Sequence, residues 1–201
     1  MKKLLSLFLL LSCLLGPVSA EDGSRLWLRQ STDAHAQITA PRQSPTLNIA
    51  VRELKQAWKG LPVTLVLKKD KQLSSEGFRI RQVNGKLTVT SPSETGLLYA
   101  AYHLIRLQEM QNFGKPSETD QEITENPAYD LRILNHWDNL DRSIERGYAG
   151  KSLWNWEELP GTLSDRYEAY ARANASIGIN ATVLNNVCLL YTSPSPRDMR
   201  R

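Results

Sequence analysis

Cysteine is all but missing from this chain. Its 201 residues hold two, Cys13 and Cys188, and neither lies between residues 21 and 187. Disulfide staples, zinc–thiolate clusters and a cysteine nucleophile are therefore excluded from that body, which must be held by an ordinary hydrophobic core. A lasting surplus of one charge is missing too. The formal net charge is +4. Lys2 and Lys3 supply two of those charges, and Arg197, Arg200 and Arg201 against Asp198 supply the other two. Residues 21–187 are formally neutral, so the apparent basicity does not argue for a nucleic-acid partner. Long apolar runs are limited to one, Leu4 to Leu15, shorter than the roughly twenty residues a spanning helix needs. A Gly-rich phosphate loop, a dinucleotide fingerprint and a Ser-His-Asp arrangement do not occur.

The short apolar run is framed as an export signal. Met1-Lys2-Lys3 is its basic start and Val18-Ser19-Ala20 its small-residue cleavage site. Residues 1–20 are expected to be removed, leaving a secreted or periplasmic protein with no membrane attachment. The far end is equally distinct. From Cys188 the text reads CLLYTSPSPRDMRR, without periodicity, and resembles translated sequencing-adapter text. Residues 188–201 are expected to be foreign to the protein.

Between these ends two rhythms follow each other. Arg25 to Arg29 alternates apolar and polar residues and predicts a strand; Ser31 to Ser44 reads as loop, with His35 solvated. Ser44-Pro45 is a cap-and-first-turn pair, and Leu47, Ala50, Val51, Leu54, Ala57, Trp58 and Leu61 make one helical stripe that Gly60 and Pro62 end. Trp58 belongs to a core on this reading. Val63 to Leu67 is a strand, and Lys68 to Lys71 a solvated turn. Phe78, Ile80 and Gln82 alternate before Asn84-Gly85, then Leu87 and Val89 follow, which predicts a hairpin with a type I′ turn. Ser93 caps a helix carrying Leu97, Leu98, Ala101, Leu104 and Ile105, with His103 expected as a satisfied helix residue. The segment 21–126 is thus a small α/β domain, an antiparallel-containing sheet covered on one side by two helices, and its last part, Phe113 to Asn126, reads as a linker.

From residue 127 the pattern is strand (Leu131 to Asn135), long loop (His136 to Gly161), helix (Ser164 to Ile177) and strand (Ala181 to Val187). That is a βαβ unit. Both strands end in polar residues, which fits the opening of a β/α barrel whose sites gather on the carboxyl face of its strands. A barrel needs roughly 250 residues, so residues 127–187 are expected to be a truncated portion. The loop is where chemistry collects. After Leu131-Arg132-Ile133-Leu134 come Asn135-His136-Trp137-Asp138-Asn139, then Asp141, Glu145, Arg146 and the glycine-flanked Tyr148. An aromatic face covers the apolar face of a pyranose while amides and carboxylates bond its hydroxyls. A glycosidase also needs two carboxyl groups about the scissile bond. Asp138, Asp141, Glu145, Glu157 and Glu158 are available, with the adjacent Glu157 and Glu158 reading as surface acids. Trp154 and Trp156 serve equally well as cleft lining or as packing.

The run RILNHWDNLD-x-SIERGYAGKSLWNW, continued by LSDRYEAYARANASIGIN and TVLNNV, resembles the α-glucuronidases of glycoside hydrolase family 67 over roughly residues 127–187, and more loosely over 24–125. Arg142 departs from it, standing where the family usually has glycine. The resemblance implies an α/β fold in which a small domain precedes a (β/α)8 barrel. It implies a hydrolase of xylan-derived oligosaccharides that releases 4-O-methyl-D-glucuronic acid by inversion, with no cofactor or metal and with a homodimer allowed for the full-length enzyme. The family's catalytic carboxylates lie on later strands, so no catalytic residue is assigned and the fragment itself is expected to be inactive. Trp137 is the candidate for packing on the sugar ring. Asp138, Asp141 and Glu145 are candidates for its hydroxyls, Arg146 for its carboxylate, and Asn185 and Asn186 for the edge contributed by the next strand. A non-catalytic carbohydrate-binding module using the same loop is the competing reading.

Overall fold

The computed structural model describes residues 27–28, 31, 33–110, 120–145, 147–159 and 161–184. The expected export signal, the tail from Cys188, and Arg146, Asn185 and Asn186 lie outside the described residues. The described residues build a mixed α/β molecule with three helices. β1 (Ile38–Thr39), β2 (Val63–Leu67), β3 (Phe78–Val83), β4 (Lys86–Ser91) and β5 (Gln121–Glu125) form one sheet in the order β1-β2-β4-β3-β5. β1, β2 and β4 run parallel, and β3 is antiparallel to both of its neighbours.

Alternation decides which face of this sheet is covered. Val63 and Leu65 of β2, Phe78 and Ile80 of β3, and Leu87 and Val89 of β4 point one way and are buried. Thr64, Arg81 and Thr88 point the other way and are exposed. α1 (Pro45–Ala57) and α2 (Glu94–Glu109) pack on the buried face. Ser44 caps α1 by accepting from the Leu47 amide at 3.2 Å, and Ser93 caps α2 from the Gly96 amide at 3.0 Å. Trp58 is fully buried, its indole N–H donating to the Leu61 carbonyl at 2.8 Å. The predicted hairpin forms: Asn84 and Gly85 have φ of +48° and +69°, as a type I′ turn requires. Gly96 is needed for a different reason. A Cβ there would meet Ser91 Oγ at 2.1 Å and the Gly77 carbonyl at 2.9 Å, so only glycine lets α2 start this close to β4.

Three expectations need correction. Leu28 is core, 2% exposed, but Trp27 and Leu28 form a turn and coil rather than a strand. The loop expected at 31–44 contains β1, which is short enough to escape a pattern search yet pairs with β2. The linker expected at 113–126 contains β5, which completes the sheet beside β3. Two of its five residues, QEITE, are acidic, and Glu122 and Glu125 face solvent on an edge; Glu122 bridges Arg81 at 2.6 Å.

The second unit is β6 (Ile133–Asn135), α3 (Asp165–Ser176) and β7 (Ala181–Val183). β6 and β7 pair in parallel, and Gly178 ends α3 at φ +77°. This unit is the predicted strand–helix–strand. Its two-stranded sheet leaves apolar side chains bare: Ile133 is 42% exposed, and Leu134, Val183 and Leu184 are each 37% exposed.

Ion pairs join the units. Arg172 of α3 grips Glu53 of α1, its Nε at 2.9 and 3.0 Å from the two carboxylate oxygens and a terminal nitrogen at 2.8 Å. Glu53 is 1% exposed. Arg132, just ahead of β6, pairs with Glu76, donates to the Gly178 carbonyl at 2.5 Å and lies over the Tyr99 ring. Asn180 donates to the Asp130 carbonyl at 2.7 Å and accepts from the Arg132 amide at 2.9 Å.

Candidate functional site

The corner after β6 is built from short-range hydrogen bonds. Asp138 bridges to Ile144 and Ser143 to Lys151, so residues 138–151 fold back as two small antiparallel contacts. Asn139 ties the turn, donating to Ser143 Oγ at 2.9 Å and to the Glu145 carbonyl at 2.7 Å. Asp141 accepts from the Ser143 amide at 2.9 Å and its hydroxyl at 2.6 Å. These bonds stabilise the carboxylate and hold its pKa below the usual aspartate value. Arg142 and Glu145 both sit at positive φ, +70° and +53°. At position 142 the backbone therefore takes the left-handed conformation that glycine adopts without cost, and an arginine takes it under strain.

Beneath the turn lies an aromatic cluster. Trp154 is buried, stacks on Tyr167 with centroids 5.5 Å apart, and meets Tyr170 and His136 edge-on at 5.1 and 5.5 Å. His136 Nε2 lies 2.6 Å from the Tyr170 hydroxyl, while its Nδ1 lies 3.9 Å from Asp138 Oδ1. Asp138 is 2% exposed and takes a hydrogen bond from the Ser152 hydroxyl, which itself accepts from the Trp154 amide at 2.9 Å. Serine, aspartate and histidine do meet here, but the carboxylate stands between the other two. No imidazole nitrogen reaches the serine, so this is a scaffold and not a nucleophile with its base. Glu158 is similarly employed: it accepts from Asn155 Nδ2 at 2.7 Å and the Tyr167 hydroxyl at 3.1 Å, which holds its pKa down.

The predicted site residues therefore divide. Trp137 is presented outward, 51% exposed, between the partly covered His136 and the buried Asp138. Tyr148 is exposed nearby in sequence. Glu145 is half-buried, its amide donating to the Trp137 carbonyl at 2.8 Å. Asp138 and Asp141 are brought into the corner, but their carboxylates serve Ser152 and Ser143. Of the two tryptophans left open by the sequence, Trp154 packs the loop onto α3. His136 stands in the polar run read from the sequence and Tyr167 and Tyr170 lie three apart on one face of α3, but their joining with Ser152 and Trp154 into a scaffold is not given by any local pattern. Among the described residues, no group of three His, Cys, Asp or Glu could hold a metal ion, and no helix is long and apolar enough to cross a membrane.

Comparison with known proteins places the corner in a family context. Residues 112–196 match the model of the glycosyl hydrolase family 67 middle domain. The chain is 32% identical to α-glucuronidase A of Aspergillus tubingensis over 96% of its own length. It is 32% identical to a probable α-glucuronidase A of Aspergillus niger over 98%. In each case it spans 27% of the relative, so the chain covers about a quarter of the length of the curated relatives it matches. Among solved structures, a GH138 enzyme targeting pectin rhamnogalacturonan II superposes with a TM-score of 0.52 at 19% identity, covering 76% of this chain and 19% of that one. At that identity the likeness concerns the fold alone.

Proposed function

We propose, from the premise that the chain is related to glycosyl hydrolase family 67, that it is part of an exported α-glucuronidase. The full enzyme would hydrolyse the α-1,2 bond that attaches (4-O-methyl-)D-glucuronic acid to xylo-oligosaccharides. The observation that carries this reading is the match to α-glucuronidase A over 96% of the chain. Two features of the fold support it. Ile133, Leu134, Val183 and Leu184 leave the β6–β7 sheet with apolar groups in water, which further strands and helices of a barrel would cover. Trp137 stands exposed just past the carboxyl end of β6, the face on which barrel sites assemble.

In this reading Trp137 stacks on the uronic acid ring, with Glu145 and Arg146 at its edge and Asn185 and Asn186 contributed by the strand after it. Asp138 and Asp141 act on the site indirectly, by holding the turn that carries Trp137. Inversion needs an acid and a base on opposite faces of the sugar, with carboxyl groups roughly 6.5–9.5 Å apart to admit a water. Asp138, Asp141 and Glu158 are bound to neighbouring side chains, and in the family the chain resembles the two carboxylates lie on later strands, so the acid and base are assigned to parts of the enzyme beyond this chain. The chain alone then lacks hydrolase activity.

The test is to extend the chain by its own downstream coding sequence and measure release of 4-O-methyl-D-glucuronic acid from glucuronoxylo-oligosaccharides. Release is expected, with kcat/KM lowered about tenfold by Trp137→Ala, which is about 1.4 kcal/mol of transition-state binding. A folded, extended enzyme that leaves these substrates intact would overturn the proposal.

A further inference from the structure

Trp137 is presented outward while the residues on either side of it, His136 and Asp138, turn inward and face each other. His136 Nε2 lies 2.6 Å from the Tyr170 hydroxyl of α3, and its Nδ1 lies 3.9 Å from Asp138 Oδ1. A neutral imidazole carries one N–H. Placed on Nε2, it would leave the Nδ1 lone pair facing a carboxylate that is 2% exposed. Placed on Nδ1, it faces that carboxylate and frees Nε2 to accept from Tyr170. These neighbours favour the second tautomer. Among the described residues, Asp138 and Tyr170 are the titratable groups set against the ring. Trp154 meets it edge-on, and Thr182 of β7 stands 3.5 Å from the Tyr170 hydroxyl.

We propose that Tyr170 and His136 are positioning residues for Trp137, and that they hold it only while the imidazole is neutral. The inference rests on the sugar site assigned above. Protonation puts a hydrogen on Nε2, so Tyr170 loses its acceptor and its hydroxyl must turn away. The charged ring is drawn instead toward Asp138, across a gap of 3.9 Å that is too long for a hydrogen bond. Closing that gap moves the side chains on both sides of Trp137. It also competes with the Ser152 hydroxyl for the carboxylate. The tryptophan then loses the support that aims it, and the site weakens in acid.

The enzyme extended by its own downstream sequence tests this by two readouts. One is acrylamide quenching of Trp137, taken as wild type minus Trp137→Phe; the other is release of 4-O-methyl-D-glucuronic acid. An imidazole gains its proton between about pH 8 and about pH 5. As pH falls through that range, quenching should rise in wild type and stay level in His136→Gln, which can accept from Tyr170 but does not titrate. The acid-side fall in kcat/KM should be roughly threefold greater in wild type than in His136→Gln. Tyr170→Phe keeps the ring packing and loses the hydroxyl. It should raise KM roughly threefold near neutral pH, more than it lowers kcat, with the thermal midpoint little changed. If His136→Gln does not fold, Tyr170→Phe decides. Level quenching in wild type, parallel pH profiles in wild type and His136→Gln, or a Tyr170→Phe that alters only the thermal midpoint overturns the proposal. A wild type whose quenching follows pH as expected, yet which leaves the oligosaccharides intact, refutes the glucuronidase reading and leaves the positioning standing.

Discussion

The two units of this molecule spend their apolar residues differently. In the five-stranded sheet the inner face of β2, β3 and β4 is covered by α1 and α2, with only Leu67 at the end of β2 partly exposed, and Trp58 and Tyr102 are buried to within 1%. In the β6–α3–β7 unit the strands carry residues of the same kind, yet these stay partly in water, and the buried part is an aromatic cluster under a hydrogen-bonded turn. Buried polar atoms without a protein partner also gather there: Asn139 Oδ1, Arg142 Nε, Trp154 Nε1, Trp156 Nε1 and Ser164 Oγ. Two helices suffice to close one layer against a sheet; one helix does not close a parallel pair on both faces. The first unit thus closes its own sheet and lacks only a partner for Glu53, and the second leans on it through Arg172 and Arg132.

Breaking the joint should have the largest effect. Glu53→Ala strands Arg172 beside a buried helix face, and removal of one member of a buried pair costs on the order of 3 kcal/mol. Urea unfolding should show that loss, and hydrogen exchange should show it first in α3. If α3 keeps its protection, the second unit stands without the first. Gly96→Ala strikes the sheet unit alone: the new methyl meets Ser91 and the Gly77 carbonyl, and overpacking costs about 1–3 kcal/mol. A urea midpoint unchanged by this substitution would show that the α2–β4 approach is looser than described.

Acid provides a comparable test of the same core. His103 has its pKa lowered to about 4 by burial and by Arg106, against about 6.5 when unfolded. The unfolded chain therefore binds the extra proton first. Stability from this group is complete above about pH 6.5, declines as pH falls, and is gone below about pH 4. The full shift would correspond to about 3 kcal/mol, reduced by the ring's partial exposure to on the order of 1–2 kcal/mol. His103→Gln should flatten the pH dependence of unfolding across that window; an unchanged slope would assign the acid sensitivity elsewhere. The smallest effect has the opposite sign. Arg142→Gly relieves a left-handed arginine that costs roughly 1–2 kcal/mol, against roughly 0.5–1 kcal/mol of added chain entropy. A gain of about 0.5 kcal/mol in thermal unfolding is expected, and a loss would mean that the arginine side chain holds the turn.

Helices and hairpin were legible in the sequence because caps and period act locally: Ser44, Ser93 and Asn84-Gly85 each determine their own element. β1 and β5 were not, because a two-residue strand has no period and an edge strand facing water has no apolar alternation. The corner after β6 was legible as a place and less so as an arrangement. Trp137 could be read as a platform, since its neighbours are polar. That Asp138 turns inward to Ser152 depends on a residue fourteen positions later, and no pattern within the loop declares it. Glu53 was visible in a way that went unused. It falls on the face of α1 that also carries Ala50 and Ala57, and a charge on an apolar stripe calls for a distant partner.

That partner is 119 residues downstream. At roughly 5–20 residues per second of synthesis, the two are separated by about 6–24 s. Until Arg172 leaves the ribosome, the first sheet can form its hairpin and seat its helices, but Glu53 must keep its carboxylate hydrated or leave α1 imperfectly docked. The helix pair reaches its final packing only when the next unit arrives, so the bond works as a receipt: one half of the molecule registers that the other has been made.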